Sequence, residues 1–127
     1  MINQINKDKN SLKFKKYFFL FFTGVFASLS LPPLSFLPIV FLITIPIFYL
    51  VNSKNLKDAF LIGYFLAFGW FLVSLYWISN AILVGGEEFL WMIPFVFVGF
   101  PAFLSVFWGV AFFLISLIGK SIVERLI

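Results

Sequence analysis

The stretch KDAFLIGYFLAFGWFLVSLYWISNAILVGGEE, residues 57–88, decides the fold. After Asp58 no charged residue occurs until Glu87. About 20 apolar helical residues cross the ~30 Å hydrocarbon core of a bilayer, and this run is long enough to do so once. Asp58 stands where an N-cap would open the helix, and Gly85-Gly86 stands where it would close. The spacing predicts a transmembrane helix from Ala59 to about Val84.

Two further charge-free runs flank this one, Tyr17 to Ser53 and Phe89 to Gly119. Tyr17 to Leu31 reads as a first membrane segment, which can start near Leu12 if Lys13, Lys15 and Lys16 snorkel to the headgroups. Leu31-Pro32-Pro33 should then stop the helix and turn the chain, because proline lacks an N–H and pushes its predecessor out of the α region. A second segment is expected from about Leu34 to Val51. Pro38 falls in its first turn, and Pro46 lies deep enough to kink it. Phe89 to Gly119 exceeds one pass. Pro94 or Pro101 should split it into a re-entrant or interfacial start over Phe89 to Phe100 and a helix to about Ile118. The expected architecture is an all-α, polytopic membrane protein with about four transmembrane helices. It comprises a basic cytoplasmic leader 1–16, disordered up to about Leu12, a four-segment transmembrane domain 17–119, and a cytoplasmic tail 120–127.

Charge placement gives the orientation. Only 11% of the residues are charged and 63% are hydrophobic, against about 25% charged in a soluble domain. All 9 Lys and Arg residues fall in the leader, in the NSKNLKD loop of residues 52–58, or in the tail. Four passes put these three clusters on one side, which the positive-inside rule makes cytoplasmic, with both termini there. The net charge of +4 therefore speaks for membrane orientation and not for nucleic acid. The competing reading of segment one is a cleaved signal peptide with small residues at Ala27, Ser28 and Ser30. Cleavage would leave three passes with opposed loop charges.

The chain contains no Cys and no His. This removes a disulfide framework, a thiolate metal site, a cysteine nucleophile and the usual acid–base imidazole. Glu87 and Glu88 are the only paired carboxylates; in a Gly-rich loop with no cation or nucleophile nearby they read as a solvated pair. No Asp, Glu, Lys or Arg lies within the apolar segments, so a proton relay or charged ion path lacks its residues. Gly85-Gly86 is followed by no GK[ST] and is not a phosphate loop. Ala59, Gly63 and Ala67 form one smooth helix face suited to close approach in lipid, either by a partner helix or, more simply, by the chain's own segments. Trp77 and Trp91 read as interfacial anchors. Trp70 and Trp108 fall nearer mid-segment, where an indole N–H wants an inter-helix hydrogen bond or faces a substrate. Asn80 reads as a cap or a packing hydrogen bond. No catalytic, cofactor-binding or metal-binding residue is assigned.

Taken in order, several motifs form a set. Ala27-Ser28-Leu29-Ser30-Leu31-Pro32-Pro33-Leu34 ends one apolar segment. Lys57-Asp58-Ala59-Phe60-Leu61-Ile62-Gly63-Tyr64 opens another, followed by Gly69-Trp70-Phe71, Tyr76-Trp77-Ile78 and Gly85-Gly86. This succession resembles the amino-terminal membrane region of bacterial apolipoprotein N-acyltransferases, over about residues 20 to 110. The resemblance implies a place in the bacterial cytoplasmic (inner) membrane and a role in lipoprotein biosynthesis. There an acyl chain passes from a phospholipid to the α-amino group of a diacylglyceryl cysteine. It also implies that a Glu-Lys-Cys triad does this chemistry through a thioester, in a nitrilase-like domain inserted among later helices. No residue here matches that triad. The chain is therefore expected to be a truncated or split-gene portion, or a retained membrane module, not catalytic alone. Its expected partners are membrane lipids and a separate chain carrying the nitrilase-like domain; no nucleic acid and no cofactor is expected. The alternative is a small non-enzymatic membrane assembly or interaction protein. A dimerising transporter half would need a polar midplane site, for which the segments offer only hydroxyls such as Thr23, Thr44 and Ser74.

Overall fold

Helix α3 (Leu56–Ser74) is the axis around which the rest is arranged, lying between α1 (Ile2–Ser28) on one side and α5 (Phe100–Leu126) on the other. The computed structural model describes residues 1–30, 38, 41, 42, 44–53 and 55–126. Besides these three helices they form α2 (Thr44–Val51), α4 (Tyr76–Gly85), a 3-10 turn over Glu87–Met92 and a π-helical stretch over Phe95–Gly99. The described residues are all-α and mostly helical.

Side-chain pairings give the helix directions. Lys16 meets Asp58, Tyr17 stacks on Phe65, and Phe21 meets Phe68. Later residues of α1 thus meet later residues of α3, and the two helices run parallel. Ser53, just before α3, shares a cavity with Ser116 and Lys120, whereas Leu66 to Phe71 share one with Trp108. Helix α5 is therefore antiparallel to α3. Leu20, Ile62, Leu66 and Phe112 form the core at this junction, with Tyr17, Tyr49 and Leu50 packed against it.

Small residues let the three helices close on one another. A Cβ at Gly24 would collide with the Leu66 carbonyl oxygen, and one at Gly69 with that of Phe21. A Cβ at Gly63 would lie 2.7 Å from the Phe112 ring and 2.7 Å from the Trp108 carbonyl, and one at Gly109 would lie 2.7 Å from the Phe60 ring. In lipid an apolar side chain gains little by leaving the hydrocarbon for another helix. Association then rests on van der Waals contact and close backbone approach.

Two helical runs are long and apolar enough to cross a membrane, Leu56–Gly85 and Phe95–Ser121. The expected count of about four is thereby met only in part among the described residues. Helix α1 carries Lys13, Lys15 and Lys16 at its middle, and α2 has 8 residues, about 12 Å of helix. The turn at Leu31-Pro32-Pro33 and most of the first half of the expected second segment lie outside the described residues.

Several local expectations are corrected. The leader is helical from Ile2. Once the apolar half of α1 is packed, extending it backwards requires no new nucleus. Pro46 falls in the first turn of the 8-residue α2, where its missing N–H has no intrahelical partner to lose. Asp58 is not the N-cap: Asn55 takes that position in an extended conformation (φ −125, ψ 145), leaving Asp58 in the first turn. The helix expected from Ala59 to Val84 is interrupted at Leu75 (φ −102, ψ 4). There the Ile78 N–H bonds the Leu75 carbonyl at 3.0 Å, a 3-10 contact that tightens one turn. The last segment does begin with non-α winding, and its helix continues past Ile118 to Leu126.

Candidate functional site

Two features stand out along α3, a polar clasp at its start and an apolar cleft further on. In the clasp, the Lys16 ammonium donates to Asp58 Oδ2 at 2.7 Å and the Tyr17 hydroxyl donates to Asp58 Oδ1 at 2.6 Å. The ammonium also lies 5.7 Å from the Tyr17 ring centroid and 5.5 Å from that of Tyr49, within reach of cation–π attraction. One carboxylate thus ties α1 to α3, and the cation it holds reaches α2. A carboxylate in the first turn also meets the positive end of the α3 dipole. The clasp was missed in the sequence, although a signal was present: Lys16 and Asp58 are the charges that border two apolar runs at the same end.

The cleft opens between α3 and α5. Its volume is about 170 Å³, and Leu66, Ala67, Trp70, Phe71 and Trp108 line it. Trp70 is half-buried and Trp108 exposed. Among the described residues neither indole N–H forms a hydrogen bond, so the inter-helix bond expected for them is not made. The two rings wall one slot instead. Among the described residues its lining is apolar and aromatic throughout, a surface that suits a hydrocarbon chain.

Ala59, Gly63 and Ala67 are all buried, and Gly63 is covered by Phe112 and Trp108 of the chain's own α5. The smooth face is therefore used internally. Gly24 and Gly109, not singled out in the sequence, do the same work, as does Gly69, which the sequence marked only as part of a motif; each is a glycine inside an apolar helix. Trp77 and Trp91 are exposed, at 59% and 68%, on the arm formed by α4 and residues 87–99. Glu87 and Glu88 are exposed at the start of the 3-10 turn, and Asn80 is exposed on α4. Among the described residues no three acidic side chains come close enough to hold a metal ion.

Comparison with known proteins gives one consistent result. The apolipoprotein N-acyltransferase N-terminal domain family matches residues 23–126. The chain is similar to an apolipoprotein N-acyltransferase of Rhizobium etli (strain CIAT 652), 34% identical over 108 residues, covering 77% of this chain and 20% of that protein. It is similar to one of Rhizobium rhizogenes (strain K84 / ATCC BAA-868), 30% identical over 123 residues, covering 89% and 23%. A third, from Brucella suis biovar 1 (strain 1330), is 28% identical over 117 residues, covering 84% and 22%. The chain thus spans 20% to 23% of the length of these relatives. No solved structure matches it.

Proposed function

The chain belongs to the apolipoprotein N-acyltransferase N-terminal domain family, and from that membership we propose that it is the membrane frame for phospholipid-to-apolipoprotein N-acyl transfer. The observation that carries the proposal is the Trp70–Trp108 cleft, an apolar slot between two membrane-length helices. It is suited to receive an acyl chain sideways from the bilayer. The bond-making chemistry comes from a nitrilase-like domain with its Glu, Lys and Cys, for which a separate chain is the proposed carrier. This chain holds no Cys to form the thioester.

In this reading the chain crosses the cytoplasmic membrane four times, with both termini in the cytoplasm. The parallel course of α1 and α3 supports it, since the chain between them has to return to the starting side. The charges support it as well. Lys16, Asp58 and Lys120 gather at one end of the bundle, next to the end of α2, while Glu87 and Glu88 belong to the loop past α4.

The deciding experiment mixes the purified chain with a polypeptide carrying the nitrilase-like domain and the rest of the family's length. Acyl transfer to a diacylglyceryl-cysteine peptide is then measured. Co-purification with transfer by the mixture supports the proposal; an inert mixture, or transfer by this chain alone, overturns it. Orientation is tested separately by single cysteines, which the cysteine-free chain allows. Residues 9, 57 and 120 should resist a membrane-impermeant thiol reagent added from outside, and residue 88 should react.

A further inference from the structure

We propose that residues 76–99 form a hinged strap that swings aside to admit a phospholipid acyl chain to the end of the Trp70–Trp108 cleft. The strap is α4, the 3-10 turn and the π-helical stretch taken together, and it joins the two walls of the cleft, α3 and α5. Both of its ends depart from α-helical winding. At Leu75 (φ −102, ψ 4) the chain leaves α3, one turn beyond Phe71, whose carbonyl accepts the Leu75 N–H at 2.9 Å. At the other end the Phe100 N–H bonds the Phe95 carbonyl, a contact of π type, and Trp108 follows about two turns later. Short 3-10 and π turns within a helical run are where helices hinge and bend.

The seat of the strap is weak. The 3-10 turn and the π-helical stretch bury no residue, and the one side chain that α4 buries is that of Ser79, 8% exposed. Among the described residues its buried Oγ has no hydrogen-bond partner, and neither has the buried Oγ of Ser74 across the Leu75 joint. A buried hydroxyl left unpaired has a cost in free energy, and water or a lipid headgroup relieves it when the joint opens. The two hydroxyls thus act against the seated position while little burial holds it, the pattern of a segment that opens well below the cost of unfolding the whole. Because the strap bridges α3 and α5 at this end, its position decides whether the gap between them is open to the bilayer there. The inference rests on the reading of the cleft as an acyl-chain slot. Its test measures distances and no acyl transfer, so a rigid strap and an inert enzyme mixture are separate results.

The test places paired spin labels on the cysteine-free chain at Val84 and Ile118, both exposed. Their separation is read by double electron–electron resonance in a sterol-based detergent that has no acyl chain. Two separations are expected. Dioleoylphosphatidylglycerol should raise the share of the second, whereas glycerophosphoglycerol, the same headgroup without acyl chains, should not. Ser79→Ala should favour the seated separation about fivefold, the equivalent of about 1 kcal/mol for one buried unpaired group. Ser74→Ala should act in the same direction, and Ser11→Ala, at an exposed serine of α1, should change nothing. Trp70→Ala should keep both separations and lose the response to lipid. One fixed separation overturns the proposal, as does a lipid response that glycerophosphoglycerol reproduces or that survives Trp70→Ala. So does an unchanged ratio in both serine variants. If Ser79→Ala does not fold, Ser74→Ala and the lipid response of the unaltered chain decide.

Discussion

Where α1, α3 and α5 cross, Gly24, Gly63, Gly69 and Gly109 sit against a neighbouring main chain or aromatic ring, whereas in the arm from Tyr76 to Gly99 a Cβ at Gly86 or Gly99 would meet nothing within 4 Å. Both regions are strongly apolar and rich in aromatic residues. In the crossing, Leu20, Ile62 and Ser105 are fully buried. In the arm, no residue of the 3-10 turn or the π-helical stretch is buried, and α4 buries only Ser79. The difference teaches that hydrophobicity does not select which surfaces pack in a membrane protein. Surface relief does, because lipid already satisfies an apolar side chain and only close contact adds attraction.

The sharpest way to break this comparison is to fill the crossing and the arm alike. Gly24→Leu and Gly69→Leu should each cost roughly 3 kcal/mol or more, the upper end of overpacking penalties, because the new side chain meets backbone that cannot step aside. Gly99→Leu should stay within about 0.5 kcal/mol. Thermal loss of helicity in detergent measures all three, and equal destabilisation would end the distinction.

Asp58→Asn removes the charge that holds Lys16 and Tyr17. The expected loss is about 2 kcal/mol, typical of hydrogen bonds to a charged group. A double-mutant cycle with Lys16→Met should return most of it as coupling. Additive single effects would show that the clasp contributes nothing of its own.

Gly86→Ala tests the arm by itself. Gly86 has φ 120 and ψ 159, a region reached essentially only by glycine, where another residue costs about 1–3 kcal/mol. Because the arm buries so little, the strain should be relieved by re-forming the turn. Proteolytic cutting near residue 86 should rise while the bundle's melting temperature stays put. A lowered melting temperature would mean that arm and crossing are coupled after all. Smallest of all, Trp91→Ala should leave stability within about 0.5 kcal/mol, as for other exposed positions away from packed features, and a larger loss would place Trp91 in a contact within the bundle.

Much of the fold was legible in the residues. Runs without charge announced apolar helices, Gly85-Gly86 announced the close of a helix, and the proline-bearing stretch after Phe89 announced irregular winding. The candidate site was less legible. Trp70 and Trp108 looked like two separate mid-segment indoles in need of hydrogen bonds, and only their shared cleft relates them. Asp58 looked like a cap because its position before an apolar run has that local meaning. Its bonds to Lys16 and Tyr17 cross more than 40 positions of sequence, and no local pattern encodes such a partner.

What the sequence determined by itself was solvent preference and kinship. A charge-free run prefers lipid residue by residue, the preferences add without reference to any other segment, and the ordered motifs carry the family. What only the tertiary structure decided was pairing: the parallel course of α1 and α3, the glycines that meet a neighbour, the clasp and the two cavities. These depend on how each helix is rotated and where it crosses another, and a period of 3.6 residues fixes the face of a helix without saying which helix will meet it.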